Sequence, residues 1–274
     1  MKLHSLQRNK EKLQIYCVTN KIVPHLENTN YKLACVGDGN FPENYIASNT
    51  RDNIFYKEKY YSELTFHYWF WKNILSKIDK TLWIGFCQKR RFWIKSSSIH
   101  ESITLDSLGS HLLSSPEDDW DKYDAIITKP ISLMNVKISK IIKRGFKSLI
   151  KSPSILYDKQ KRNIKLHFDM HHGFGKIDKA ANLLNDNDKD DFKSFIENNT
   201  SFNPHIMFIC KPELANRWFK SLFEWLDRCE NEFGFKDLTG YDNTRLYAFL
   251  AERYLSFWFQ KYTNYKEQPW ILIE

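Results

Sequence analysis

The chain has 274 residues, 42% hydrophobic and 27% charged, a balance that builds a globular core and excludes a disordered or collagen-like chain. Lys and Arg number 41 against 33 Asp and Glu, a net charge of +8, and aromatic residues reach 16%. Such an excess favours an anionic partner: a nucleic acid, an anionic membrane surface or a phosphorylated substrate. The cysteines, Cys17, Cys35, Cys87, Cys210 and Cys229, are odd in number, widely spaced and free of any CxxC pair. That argues against a disulfide framework or a zinc ribbon and for free thiols in a reducing cytosol. The N-terminal MKLHSLQRNKEKLQ lacks the apolar core of a secretory signal. No run of about 18 apolar residues is present to span a bilayer. A cytoplasmic protein is expected, with peripheral contact to the inner face of the membrane left open.

Leu13–Thr19 (LQIYCVT) reads as a buried first strand and Tyr31–Val36 as a second, closed by Gly37-Asp38-Gly39-Asn40. Tyr60–Ile78 carries Leu64, Tyr68, Trp71 and Leu75 at helical spacing. Thr81–Phe86 predicts a strand that runs straight into Gln88-Lys89-Arg90-Arg91, placing cations at a strand's carboxyl end, where open α/β sheets bind ligands. One helix is expected near Asp106, a strand over Tyr123–Thr128 stopped by Pro130, and a helix over Lys137–Ile150. Lys151–Lys165 reads as a loop, Ile177–Asn198 as helical with a break near Asn185–Asp188, and His205–Cys210 as a strand. Pro212–Phe233 and Thr244–Tyr262 are the closing helices. Strands alternating with helices, without repeats or a linker, predict one α/β domain.

Four constellations can carry chemistry. The first is Lys89-Arg90-Arg91, an anion site by charge and by the bidentate geometry of arginine, its alternative a solvated turn. In the second, Asp52 and Asn53 precede an aromatic run in which Ser62 and Glu63 stand at a helix start; most of those aromatics read as core. The third is Asp169-Met170-His171-His172-Gly173. On a strand the two histidines would point to opposite faces, so a metal site is not expected and a glycine-rich ligand loop with one useful histidine is preferred. In the fourth, Asp242, Arg245, Glu252 and Arg253 accompany an aromatic helix. Arg245 and Glu252, two turns apart, would share a face. A carboxylate in such surroundings is a candidate general base, with a structural ion pair as the alternative. A Walker A loop, a GxSxG elbow and a dinucleotide fingerprint are absent, and Asp118-Asp119-Trp120-Asp121 reads as a solvated acidic loop rather than a DxD of metal-nucleotide form.

Three blocks resemble a family of bacterial polysaccharide-biosynthesis glycosyltransferases catalogued as domain-of-unknown-function family 4422. They are Asp52-Asn53-Ile54 with Tyr60-Tyr61-Ser62-Glu63-Leu64-Thr65 and Tyr68-Trp69-Phe70-Trp71-Lys72-Asn73; Ile84-Gly85-Phe86-Cys87-Gln88-Lys89-Arg90-Arg91-Phe92; and Met207-Phe208-Ile209 with Arg245–Arg253. Gln88 and Lys89 stand where the family has His and Tyr, and the Asp-Met-His-His stretch is not a family feature. The resemblance implies a single GT-A-like, Rossmann-like nucleotide-sugar-binding domain with a mixed central sheet flanked by helices. It implies sugar transfer from a nucleotide-sugar, UDP-galactose being one option, to a lipid-linked capsule or lipopolysaccharide acceptor. Donor binding then falls to Thr19, Asp52, Asn53, Tyr61, Glu63, Lys89, Arg90 and Arg91. Acceptor binding falls to His171, His172 and Arg245. Arg90 and Arg91 would stand in for a metal on the leaving diphosphate, and Glu252 or Asp242 would be the base. No cofactor is expected, with Mg²⁺ or Mn²⁺ left open.

The basicity is local. Residues 137–165 hold ten Lys or Arg and one Asp, net +9, and leave the rest of the chain at −1. An amphipathic basic pattern of this kind suits an anionic lipid surface, or else an ordinary helix with its apolar stripe in the core. Two other functions compete with transfer: a nucleic-acid-binding protein using this segment and the aromatics, and a sugar-nucleotide-binding module that has lost catalysis. A nucleic-acid partner is not expected, because so little of the charge lies elsewhere.

Overall fold

The computed structural model describes residues 12–273. Most of the N-terminal stretch read for a signal, residues 1–11, therefore lies outside the described residues. The chain divides into two compact units. The first comprises the described residues up to Lys129, His205–Ser221 and the described residues from Phe259; the second comprises Pro130–Pro204 and Leu222–Trp258.

The first unit is built on a mixed nine-stranded sheet. Strand β1 (Leu13–Thr19) pairs in parallel with β2 (Lys32–Cys35) on one side, and β2 with β3 (Ile46–Ala47). On its other side β1 pairs in parallel with β4 (Trp83–Gln88). Almost every residue of β1 and β4 is buried, as expected of strands covered on both faces. The sheet continues through antiparallel β9 (Phe208–Cys210), then β6 (Ala125–Thr128), then β10 (Tyr265–Gln268). Gly85 lies where β4 meets β9: a Cβ there would stand 2.7 Å from Ile209 Cγ1 and 3.2 Å from Ile15 Cγ1. The next residue, Phe86, packs its ring against Tyr16, Phe70, Phe208 and Phe219.

The register Val18↔Gln88 and Thr19↔Cys35 brings the carboxyl ends of β1, β2 and β4 to one edge. Strand β4 is displaced from its expected position and ends at Gln88. Lys89 and Arg90 form a turn, and Arg91 opens β5 (Arg91–Trp93), antiparallel to β4. The three cations thus split between a turn and a strand. The C-terminal β11 (Trp270–Leu272) pairs with β5. Neither β10 nor β11 is foreseen from the sequence, since Tyr265–Gln268 is polar and Pro269 interrupts the apolar run.

The helix expected over Tyr60–Ile78 is interrupted. Glu58–Tyr61 stops at Ser62, whose φ of +51° no right-handed helix accepts, and Leu64–Asn73 resumes beyond it. Glu63 sits at the resumed helix's N-cap. One turn into the helix, His67 is buried with its ring against Phe86, Phe208 and Phe219.

The second unit is mainly helical, with one small antiparallel pair, β7 (Ile131–Ser132) and β8 (Ser201–Phe202). The basic segment forms two helices, Ile138–Arg144 and Phe146–Lys151, parted at Gly145, followed by 3₁₀ turns at Pro153–Leu156 and Lys159–Lys161. Arg162 is buried and caps the Met134 and Leu156 carbonyls at 2.9 and 3.1 Å, so one of the ten cations is structural. The Asp-Met-His-His stretch is neither strand nor loop but the end of helix Ile164–His172, N-capped by the Asn163 side chain. Helices Lys176–Asn182 and Asp186–Asn198 follow, then the carboxyl part of Pro212–Phe233 and the amino part of Leu246–Tyr262. In this second core Trp225 packs on Phe192 and Tyr254, and the Tyr254 hydroxyl donates to Asp188 Oδ2 at 3.0 Å.

Burial lowers the His67 pKa from 6.5 to about 3. The native state keeps this ring neutral where the unfolded chain protonates it. Its share of stability is therefore complete above about pH 6.5 and is lost as pH falls from there towards 3, at up to about 1.4 kcal/mol per pH unit. A His67→Phe variant should lose less melting temperature than the wild type between pH 7 and pH 5 in thermal melts. Equal losses would show that His67 is not the neutral buried group described.

Candidate functional site

Each unit gathers its own cluster of predicted residues. In the first, Gln88 is the hub. Its Nε2 donates to Glu63 Oε1, and its Oε1 accepts from Arg91 Nη1 at 3.2 Å. The break at Ser62 turns Glu63 towards the carboxyl edge of the sheet, and the β4–β5 hairpin returns Arg91 beside it. The hairpin is pinned from below: Trp93 Nε1 donates to the Phe86 carbonyl at 2.9 Å, Tyr31 Oη to the Trp93 carbonyl, and Phe92 and Trp93 are fully buried. Lys89 Nζ donates to Asn20 Oδ1, just past β1, while Arg90 stays exposed in the turn.

Other first-unit residues play local parts. The Thr19 hydroxyl is buried and donates to the Lys21 carbonyl, closing the turn after β1. Tyr61 is buried, with Lys57 Nζ over its ring at 5.5 Å. Asn53 Oδ1 accepts from Phe55 N at 3.1 Å and its Nδ2 donates to the Arg51 carbonyl, an Asx turn. The Asp52 carbonyl accepts from Asn73 Nδ2 at 2.7 Å, at the opposite end of helix Leu64–Asn73 from Glu63. A ten-residue helix is about 15 Å long, so Asp52 and Asn53 do not join the Gln88 cluster.

In the second unit, three histidines of helix Ile164–His172 meet two arginines and two carboxylates. His167 and His171, four apart, share a face with ring centroids 4.8 Å apart. Although no HxxxH spacing is expected here, the stretch contains one at His167 and His171, which the helix brings to one face. Arg253 Nη2 lies 3.2 Å from His167 Nδ1, and Arg144 Nη1 lies 2.8 Å from His171 Nδ1 and 3.1 Å from Asp242 Oδ2. Arginine only donates, so both Nδ1 atoms accept and the Nε2 atoms of His167 and His171 carry the protons. His172 differs: its Nδ1 donates to the Asp242 carbonyl at 2.9 Å, and its ring stacks on Phe249 at 3.7 Å. Burial, with Arg253 adding, lowers His167 and His172 to about 2; burial, with Lys140 and Arg144 adding, lowers His171 to about 4. All three are neutral at pH 7.

Glu252 forms an ion pair with Arg253, whose buried guanidinium also lies over Phe202 at 4.2 Å. Arg245 falls outside helix Leu246–Tyr262, with the Tyr241 ring 5.0 Å from its Cζ, so the face expected to be shared with Glu252 does not form. His167 and Arg144 were missed in sequence; the first is signalled by its four-residue spacing, the second by nothing local. Among the described residues, no three His, Cys, Asp or Glu side chains converge on a metal position.

A mixed sheet flanked by helices carries the Gln88 cluster at the carboxyl ends of its parallel strands, the edge at which open α/β sheets bind ligands. The structure aligns with a solved structure titled "WbbM bifunctional glycosytransferase apo structure", with a TM-score of 0.68 and 19% identity. The alignment covers 96% of this chain and 45% of that one, so the chain spans less than half of that protein. The fold is GT-A-like. The family model described as Domain of unknown function (DUF4422) matches residues 14–264, and the chain belongs to that family. No curated protein matches.

The Arg144 contact yields a direct test. In an Arg144→Ala variant the His171 pKa should rise from about 4, followed by NMR titration of the imidazole signals. An unchanged His171 titration would contradict the contact.

Proposed function

We propose that the protein is a glycosyltransferase that moves a sugar from a nucleotide-sugar, UDP-linked and with galactose as one option, to a lipid-linked surface glycan. The observation that carries this reading is the Glu63–Gln88–Arg91 cluster at the carboxyl edge of the parallel strands, beside Lys89 and Arg90. A departing nucleoside diphosphate accumulates negative charge on its leaving oxygen. Arg90 and Arg91 supply fixed positive charge for it, and Gln88 holds Arg91 by its amide oxygen. Glu63, tied to the same amide, suits a hydroxyl of the donor. In the second unit, His167 and His171 offer N–H donors to acceptor hydroxyls. Glu252, with Asp242 as the alternative, takes the acceptor's proton.

This role of the arginines makes transfer independent of a divalent metal. Arg90→Ala or Arg91→Ala should lower turnover by about 10²–10³-fold. The wild type should keep full activity in EDTA, whereas strict Mn²⁺ dependence would contradict the arrangement. Glu252→Gln should abolish transfer; an active variant would pass the role to Asp242.

The acceptor's lipid anchor fits the basic segment. Ile138, Ile142, Phe146 and Ile150 recur every four residues and are all exposed, as is Tyr157 at 81%. Ile141 is buried against Ile155, Leu166 and Met170, with Leu149 packed on that cluster, so one face of the segment serves the core and another is left for a partner. Lys137, Lys140, Lys143, Lys147, Lys151, Lys159 and Lys161 are exposed around it. Near an anionic bilayer each contributes about 1 kcal/mol, and the apolar stripe enters the interface. No described helix is long and apolar enough to cross a membrane. The protein should float with anionic liposomes and lose that binding in an Ile142→Ser/Ile150→Ser variant; failure of the wild type to float would reject a lipid-facing segment.

A further inference from the structure

Helix Ile164–His172 has a second polar face. Lys165 and Asp169, four apart, lie about 120–160° around the helix from His167 and His171. That face lines a cavity of about 600 Å³ within the second unit, walled also by Ser148, Lys151 and Ile155 of the basic segment. Pockets that take small ligands run from roughly 300 to 1,000 Å³.

The chemistry of the wall selects among ligands. Lys165 is committed to Asp178 at 2.8 Å and to Glu197 at 2.9 Å. Asp158 is committed to the Gln160 backbone N–H at 3.0 Å. The lining carries Lys151, Lys161 and Lys165 against Asp158, Asp169, Asp178 and Glu197, so it offers a diphosphate no net positive charge. Asn163 is spent on the Leu166 N–H and the Glu197 carbonyl, and Lys151 Nζ lies 4.8 Å from the centroid of the Phe174 ring. What remains is the amides of Gln160 and Asn198, hydroxyls and one half-buried carboxylate, beside Phe174, Ile155 and Leu166. Asp169 Oδ1 accepts from the Gly175 N–H at 2.9 Å, while Oδ2 has no hydrogen-bond partner among the described residues. Burial raises this carboxyl to about 6. Gly173 and Gly175, at φ +110° and +74°, hold Phe174 between them, and a Cβ on Gly175 would meet nothing within 4 Å, which leaves the wall open at that point.

We infer that this cavity is a saccharide subsite for a neutral sugar of a glycan, with Phe174 as the aromatic wall and Asp169, Gln160 and Asn198 as hydroxyl partners. Alternating planar polar groups around an aromatic ring match a pyranose, which presents C–H on its faces and O–H around its rim. The choice of a sugar as ligand rests on the glycosyltransferase reading, while the residues of the site belong to the second unit and Glu63, Gln88 and Arg91 to the first.

The test is ligand-observed NMR and calorimetry on the full chain without nucleotide, using the methyl glycosides of galactose, glucose, mannose and N-acetylglucosamine. Thermal-shift measurements with UDP-galactose run in parallel. At least one methyl glycoside should bind. Phe174→Ala should weaken it about tenfold, the loss expected of a central aromatic contact. Gln160→Trp, at an exposed lining position, should block the cavity with an unchanged melting temperature and an unchanged UDP-galactose shift. If no glycoside binds while UDP-galactose does, or if binding survives both substitutions, the subsite is wrong and the enzyme reading stands. Binding of inorganic phosphate in preference to every sugar would also overturn it.

Discussion

The first unit depends on a close approach of two strands at Gly85. Strand β4 is parallel to β1 on one side and antiparallel to β9 on the other, and its Gly85 lies between Ile15 and Ile209 with no room for a methyl group. Adding one would clash with the Ile209 and Ile15 side chains that fill the space over the glycine, and protein interiors do not absorb such a displacement cheaply. From this junction β4 runs out to Gln88, whose side chain lies at the same edge as the end of β1. The Phe86 ring beside the glycine is the centre of an aromatic cluster, and the Phe86 carbonyl takes the Trp93 indole N–H that seats the returning strand. The position of Arg91 is thus a consequence of backbone packing two to six residues away.

The second unit uses one short helix differently on its two sides. Odd-numbered positions of Ile164–His172 carry Lys165, His167, Asp169 and His171, and helical geometry sends them alternately to opposite faces. One face gives neutral imidazoles fixed by arginines; the other gives a carboxylate and an ammonium on a cavity wall. The apolar residues Leu166 and Met170, packed with Ile141 and Ile155, hold the helix against the basic segment. That packing sets which residues of 137–165 are buried and which remain on the surface, so the charge excess of the chain is displayed on a surface fixed by core contacts.

Much of this was legible in the sequence. The first strand, the helix Pro212–Phe233 and the end of the final helix at Tyr262 follow from apolar runs, periodicity and a proline at N1. The cluster of Glu63 and Arg91 was legible as residues but not as a contact, because the bond runs through Gln88 and requires a helix broken at Ser62. A buried serine at positive φ has no sequence signal, since tertiary packing overrides its preference. The histidine helix was misread for a different reason: Gly173 and Gly175 suggested a loop, yet they serve to end the helix rather than to prevent it. The C-terminal strands could not be read from alternation because β10 is polar along its length and β11 follows a proline.

The central claim is that the carboxyl edge of the parallel strands holds a nucleoside diphosphate through Arg91. The most direct measurement is a thermal-shift panel of nucleotide-sugars against the wild type and Arg91→Ala, at low and high salt. The account predicts that at least one nucleotide-sugar raises the melting temperature of the wild type and that the shift vanishes in Arg91→Ala. No shift with any nucleotide-sugar, together with strongly salt-dependent binding of nucleic acid, would contradict it.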